Sequence, residues 1–80
     1  MIDQIGTRLR AIMSATFGAP LATLDDSSGP TTVEGWDSMN HLHLIVAIEA
    51  EFAVSFDPEE ALELTSLAMI RDAIVRLGGK

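Results

Sequence analysis

Apolar residues recur at helical spacing in three stretches of this chain. Ile2, Ile5, Leu9, Ile12, Met13 and Phe17 form the first set, one stripe of a predicted helix that Gly18 and Pro20 then stop. A second set starts at Ser38 and runs to Phe52. The third, Leu67, Ile70, Ile74 and Leu77, marks a last helix that opens near Thr65 or Ser66 and ends at Gly78 and Gly79, with Lys80 a fraying end. Between the last two sets, Asp57, Pro58 and Glu60 supply an N-cap, a first-turn proline and an acid at the third helical position, so a short helix is predicted there. Residues 53–56 are too few to stand as a strand. The pattern predicts an all-α fold: a small four-helix bundle of three longer helices and one short one, in a single domain spanning residues 1–80.

Residues 18–37 carry no periodicity. They contain Pro20, Asp25, Asp26, Ser27, Ser28, Gly29, Pro30 and Gly35, the residues of turns. A loop this long in so small a domain is usually functional or disordered. Leu21, Leu24, Val33 and Trp36 predict that it is pinned onto the bundle, with a short turn near residues 21–24.

The second helix has two apolar faces. With a step of about 100° per residue, Leu44, Ile45, Ile48 and Phe52 share one arc, the core face. Met39, Leu42 and Val46 share another, on the side nearer Ser38. Contact with neighbours on two sides accounts for such a pattern. A partner-docking stripe beside the serine accounts for it too.

Composition narrows the chemistry. Twelve acids against five bases give a formal net charge of −7, which makes nucleic acid a poor partner because phosphate binding needs clustered Lys and Arg, and none is expected. Basic protein surfaces are attracted instead. The chain has no cysteine, so disulfides, thiolate metal sites and a cysteine nucleophile are all excluded. The N-terminal residues are too charged for a signal peptide, and the aliphatic run at residues 44–48 is too short for membrane insertion. The expected location is cytoplasmic.

One stretch departs from the generic: GWDSMNHL, residues 35–42. Serine before a helix is commonly its N-cap. The start of a helix also suits an anion, because its first N–H groups are unpaired and its dipole is positive there. A phosphate ester on Ser38 would sit in a favourable field, within reach of another enzyme. Catalysis by Ser38, His41 and Asp37 lacks an oxyanion hole and a substrate cleft. His41 lies beside the core arc, as a structural histidine does. His41 and His43 point about 200° apart on a helix and do not chelate one metal ion.

The stretch GWDSMNHLHLIVAIEAEFAVSF, followed by PEEALELTSLAMIRDAI, resembles the acyl carrier and peptidyl carrier proteins, from the first helix to the last. Their mark is an Asp-Ser-Leu-like motif at the start of the second helix of a small four-helix bundle. The resemblance implies a carrier protein with no enzymatic activity. Ser38 would hold 4′-phosphopantetheine, transferred from coenzyme A by a phosphopantetheinyl transferase. Acyl or aminoacyl cargo would ride on its terminal thiol as a thioester, so the reactive sulfur comes with the cofactor. Asp37 matches the family's acid before the serine. Met39, Leu42, Val46 and Glu49 match positions that meet partners: the transferase, a cargo-loading ligase or acyltransferase, and downstream synthases or transferases. The carrier is expected to act as a monomer.

Two departures point away from housekeeping fatty acid synthesis. Trp36 replaces the small residue usual before Asp-Ser there, and Asn40, His43 and Ala50 stand where those carriers usually show acids. Specialised pathways, such as polyketide, nonribosomal peptide or surface-polysaccharide modification, are the expected setting. The alternative is an acidic helical adaptor that docks a partner through Met39, Leu42 and Val46, with Ser38 only a helix cap.

Overall fold

The structure, a computed structural model, describes residues 4–79; Ile2 of the predicted first stripe and Lys80 lie outside the described residues. Four α-helices follow one another: α1 (Gln4–Phe17), α2 (Ser38–Phe52), α3 (Pro58–Glu63) and α4 (Leu67–Arg76), with a 3-10 turn at Leu21–Thr23. The described residues contain no strand, and the fold is the expected all-α bundle.

The core is built from three helices. Leu9 and Met13 of α1, Leu44, Ile48 and Phe52 of α2, and Leu67, Ile70 and Ile74 of α4 are fully buried. Ile5 and Ile12 are partly buried and pack against them. The α2 core arc read from spacing is the buried one, Leu44, Ile45, Ile48 and Phe52. Arg8 ties α1 to α2: it donates to Glu51 Oε2 at 2.7 Å and lies over the Phe52 ring, 4.4 Å from its centroid. Leu77 does not extend the α4 stripe. The helix ends at Arg76, so Leu77 leaves the helical register and is exposed.

α3 buries none of its six residues. The segments beside it do the packing, through Val54, Phe56 and Leu64. Its remaining ties include the half-buried Ala61, which packs against the core, and an ion pair from Glu60 to Arg76 of α4.

The long loop is held by polar contacts that periodicity does not reveal. Leu24, Val33 and Trp36 are buried as expected, but Leu21 sits in the 3-10 turn and is exposed. Asp26 and Ser28 cap α4. The first helical N–H groups, of Leu67 and Ala68, donate to the Ser28 and Asp26 carbonyls at 3.0 and 3.2 Å, and that of Met69 donates to Ser66 Oγ at 3.2 Å. Three groups left without intrahelical partners are thereby satisfied. Arg71 adds a forked pair of bonds to the Asp26 carboxylate, at 2.7 and 3.1 Å, which holds that carboxyl below the usual aspartate range. Asp25 is lowered too, because its Oδ1 accepts from the Ser27 hydroxyl at 2.6 Å and the Ser27 N–H at 2.9 Å. Gly29 passes so close to the segment before α4 that an added Cβ would lie 2.5 Å from the Thr65 carbonyl oxygen.

Candidate functional site

The loop delivers the chain to α2 through Gly35 and Trp36. Gly35 has φ +92°, and a Cβ there would lie 3.1 Å from the Phe17 carbonyl oxygen, so both conformation and space call for glycine. This close approach brings the Trp36 indole onto the Phe17 ring, with centroids 4.8 Å apart and planes at 21°. Trp36 is buried, and its N–H therefore needs an acceptor. His41 Nδ1 accepts it at 3.0 Å. An indole only donates, so the other imidazole nitrogen, Nε2, carries the ring proton and donates to the Ala61 carbonyl of α3 at 2.7 Å. The half-buried structural histidine expected at 41 is present, and it joins three segments.

Asp37, not Ser38, is the N-cap of α2. Its backbone is extended and its Oδ1 accepts from the Asn40 N–H at 2.8 Å. Asn40 returns the contact by donating from Nδ2 to the Gly35 carbonyl at 2.8 Å. Capping of α2 by the serine itself is thus corrected: Asp and Ser are equally good caps, but the chain enters the helix one residue earlier than the cap reading of Ser38 requires. Ser38 is the first helical residue, and its side chain is exposed. Among the described residues its hydroxyl makes no hydrogen bond. The hydroxyl is free for chemistry because its neighbour does the capping.

Beside Ser38 lies an open groove of about 400 Å³. Trp36, Asp37, Ser38, His41 and Leu42 line it, together with Leu62 of α3. Its surface is mostly apolar. Along the outer side of α2 run Met39, Leu42 and Val46, which are 64%, 58% and 65% exposed. Leu62 is 71% exposed and was not singled out by periodicity, because a six-residue helix has too few turns to show a stripe. Glu49, grouped with the stripe in the sequence reading, is half-buried and turns inward: its Oε2 accepts from the Phe56 N–H at 2.8 Å. That bond holds the segment between α2 and α3.

Neither nucleophilic catalysis nor metal binding gains support from the geometry. Both imidazole nitrogens of His41 are committed to Trp36 and Ala61, so His41 is not placed to take a proton from Ser38. Among the described residues no three His, Asp or Glu side chains group as metal ligands. No helix among the described residues is long and apolar enough to cross a membrane.

The helical bundle thus presents the Ser38 hydroxyl at a helix start, between a groove and an exposed apolar stripe, where another protein can reach it. The family model described as the phosphopantetheine attachment site matches residues 7–74, and the chain belongs to that family. Its members are non-catalytic carriers that hold 4′-phosphopantetheine covalently. The residues here fit that group. The phosphate needs an accessible hydroxyl and a positive environment, and α2 supplies both: the N–H groups of Ser38 and Met39 precede the first helical bond, His41 N–H to Asp37 carbonyl, and the side-chain cap reaches only Asn40. The groove offers the arm an apolar wall. When bound, the group supplies a thiol that the polypeptide lacks.

Proposed function

We propose that Ser38 is the attachment point and that the chain carries acyl or aminoacyl thioesters between enzymes of a specialised pathway. The observation that carries this reading is the exposed Ser38 hydroxyl, bare of internal partners, one residue inside a helix whose cap is Asp37. A phosphopantetheinyl transferase, using coenzyme A, would join phosphate to Ser38 Oγ as a phosphodiester. The phosphoanhydride of coenzyme A breaks, 3′,5′-adenosine diphosphate leaves, and the serine proton is lost. The chain's own contribution is presentation. Asp37 fixes the helix start, and its exposed carboxylate faces the incoming enzyme with one oxygen engaged. Met39, Leu42 and Val46 supply apolar docking area.

The partners on this reading are the transferase, a ligase or acyltransferase that loads cargo, and the synthases or transferases that take it away. Each contact is expected to be short-lived, with affinity set mainly by the dissociation rate. Glu49 is left out of the docking set, since its carboxylate bonds Phe56 N–H. The carrier works as a monomer in the cytoplasm, where coenzyme A is available. The specialised setting is supported by the composition of α2, where Asn40, His43 and Ala50 leave little negative charge for a strongly basic synthase to grip.

The test is intact-protein mass after incubation with coenzyme A and a broad-specificity transferase. The wild type should gain one phosphopantetheine and Ser38→Ala none. A folded wild type that gains nothing would transfer the chain to the adaptor reading, in which the same stripe docks a partner without modification.

A further inference from the structure

We propose that His41 is the positioning residue of this carrier: by accepting from the Trp36 indole and donating to the Ala61 carbonyl, it sets both walls of the groove beside Ser38. The proposal rests on the carrier reading for its functional consequence and on geometry alone for its structural part.

Each wall has ties of its own, the indole through its stack on Phe17 and α3 through Ala61 and the Glu60–Arg76 pair, but His41 is the side chain that bonds to both. One is the end of the long loop, whose only tryptophan is buried against Phe17 with its N–H directed at His41. The other is α3, a single short helix that buries none of its own residues. A helix this short is marginal without tertiary contacts. Ala61 lies near its C-terminal end, where carbonyls lack intrahelical donors; the Leu64 N–H reaches the Ala61 carbonyl only at 3.4 Å. The His41 bond at 2.7 Å is the shorter one and comes from α2 itself. The three groups therefore form one chain of hydrogen bonds: indole N–H to imidazole, imidazole N–H to carbonyl. Only the neutral tautomer with its proton on Nε2 makes both bonds.

The consequence is a composite surface. With α3 held against α2, Leu62 and Leu42 line the same groove, and the exposed apolar area beside Ser38 spans two helices rather than one. With the indole held down, Trp36 forms the groove wall instead of projecting into it. The ring nitrogens of His41 bond Trp36 and Ala61 and not Ser38, so it acts through Trp36 and α3. It should therefore affect how well the transferase binds the carrier, not how fast bound carrier reacts.

The experiment uses the full chain, a broad-specificity phosphopantetheinyl transferase and coenzyme A, with two readouts. The first is the NMR resonance of the single indole N–H, together with amide hydrogen exchange in α3. The second is KM against kcat for the carrier as substrate. His41→Ala should shift the indole resonance and speed exchange in α3. It should also raise KM at least about fivefold, the equivalent of one of the two ordering hydrogen bonds it loses, with kcat within about twofold of wild type. Two conservative variants divide the bonds. In His41→Asn the side-chain oxygen falls near the position of Nδ1 and should restore the indole resonance. In His41→Gln the amide falls near Nε2 and should restore α3 protection. Trp36→Phe removes the indole donor while keeping an apolar ring, so the prediction stays open to refutation even if His41→Ala unfolds; it too should raise KM. A modified wild type with KM unchanged in His41→Ala, or in Trp36→Phe should His41→Ala be unfolded, refutes the positioning role alone. So does a loss confined to kcat. A wild type that takes up no group refutes the carrier reading and this role with it, and the indole and α3 measurements then still decide whether the hydrogen-bond chain exists.

Discussion

Asp37 has two separable roles, and two substitutions divide them. Its side chain accepts one hydrogen bond, from Asn40 N–H at 2.8 Å, and its charge lies at the positive end of a 15-residue helix. Asp37→Ala removes both. Loss of such a cap costs about 1 kcal/mol. In a domain of this size that lowers Tm by about 4–8 °C. Asp37→Asn keeps the hydrogen bond, because the asparagine oxygen accepts equally well, and removes only the charge, worth about 0.3–1 kcal/mol at a helix end. Stability should therefore fall in the order wild type, Asn, Ala, measured by urea unfolding at neutral pH with an unchanged m-value. Transferase turnover should follow a different order. If the carboxylate also faces the modifying enzyme, both variants load slowly, and Asn loads slowly despite its near-native stability. An Ala variant as stable as wild type would refute the capping assignment. An Asn variant that loads at the wild-type rate would confine Asp37 to capping.

Four further outcomes follow from the same contacts. Val46→Glu, at a site 65% exposed, should leave unfolding unchanged and slow loading; a folded variant with wild-type kinetics would remove the docking stripe. Glu49→Ala should lower stability by about 1 kcal/mol through the unsatisfied Phe56 N–H, with little effect on loading, read by urea unfolding and intact mass. Ala53 ends α2 in the left-handed region at φ +54°, so Ala53→Gly should stabilise by about 1 kcal/mol, seen as a raised unfolding midpoint. Asp25 and Asp26 are held below the usual aspartate range by Ser27 and by Arg71. A depressed folded-state pKa gives stabilisation that is present above the unfolded value and lost as pH falls through the folded one. The loop should therefore leave α4 only below about pH 4, near and under the ordinary aspartate value; hydrogen exchange at Leu67 and Ala68, fast already at pH 5, would contradict this.

Much of the fold is legible in the sequence because it is periodic. The core arc of α2 and the Leu67, Ile70 and Ile74 set of α4 follow from spacing, since burial on one face of a helix repeats every 3.6 residues. The exposed stripe at Met39, Leu42 and Val46 follows by the same reasoning applied to the other face. Leu77 fails because periodicity does not know where a helix stops. Leu21 fails because a loop has no period at all. The cap moved by one residue because Asp37 and Ser38 are both good caps, and only the path of the backbone decides between them. The Glu49 bond to Phe56 N–H is not legible, because the two become neighbours only when the chain turns after α2. The Trp36–His41–Ala61 chain is half-legible: a buried indole must find an acceptor, and His41 is the polar residue on the near side of α2. That its second nitrogen serves α3 depends on a tertiary packing that no local pattern encodes.

The central claim is that one hydroxyl, that of Ser38, takes the phosphopantetheine. Cleavage after Glu34 and Glu49 isolates residues 35–49, in which Ser38 is the only hydroxyl-bearing side chain. The most direct measurement is the mass of that peptide after treatment with coenzyme A and a transferase. The account predicts that it gains one phosphopantetheine, while the peptide of residues 1–34, which carries Ser27, Ser28 and Thr31, keeps its unmodified mass. An added group on any other peptide, or none on this one from a folded chain, would contradict it.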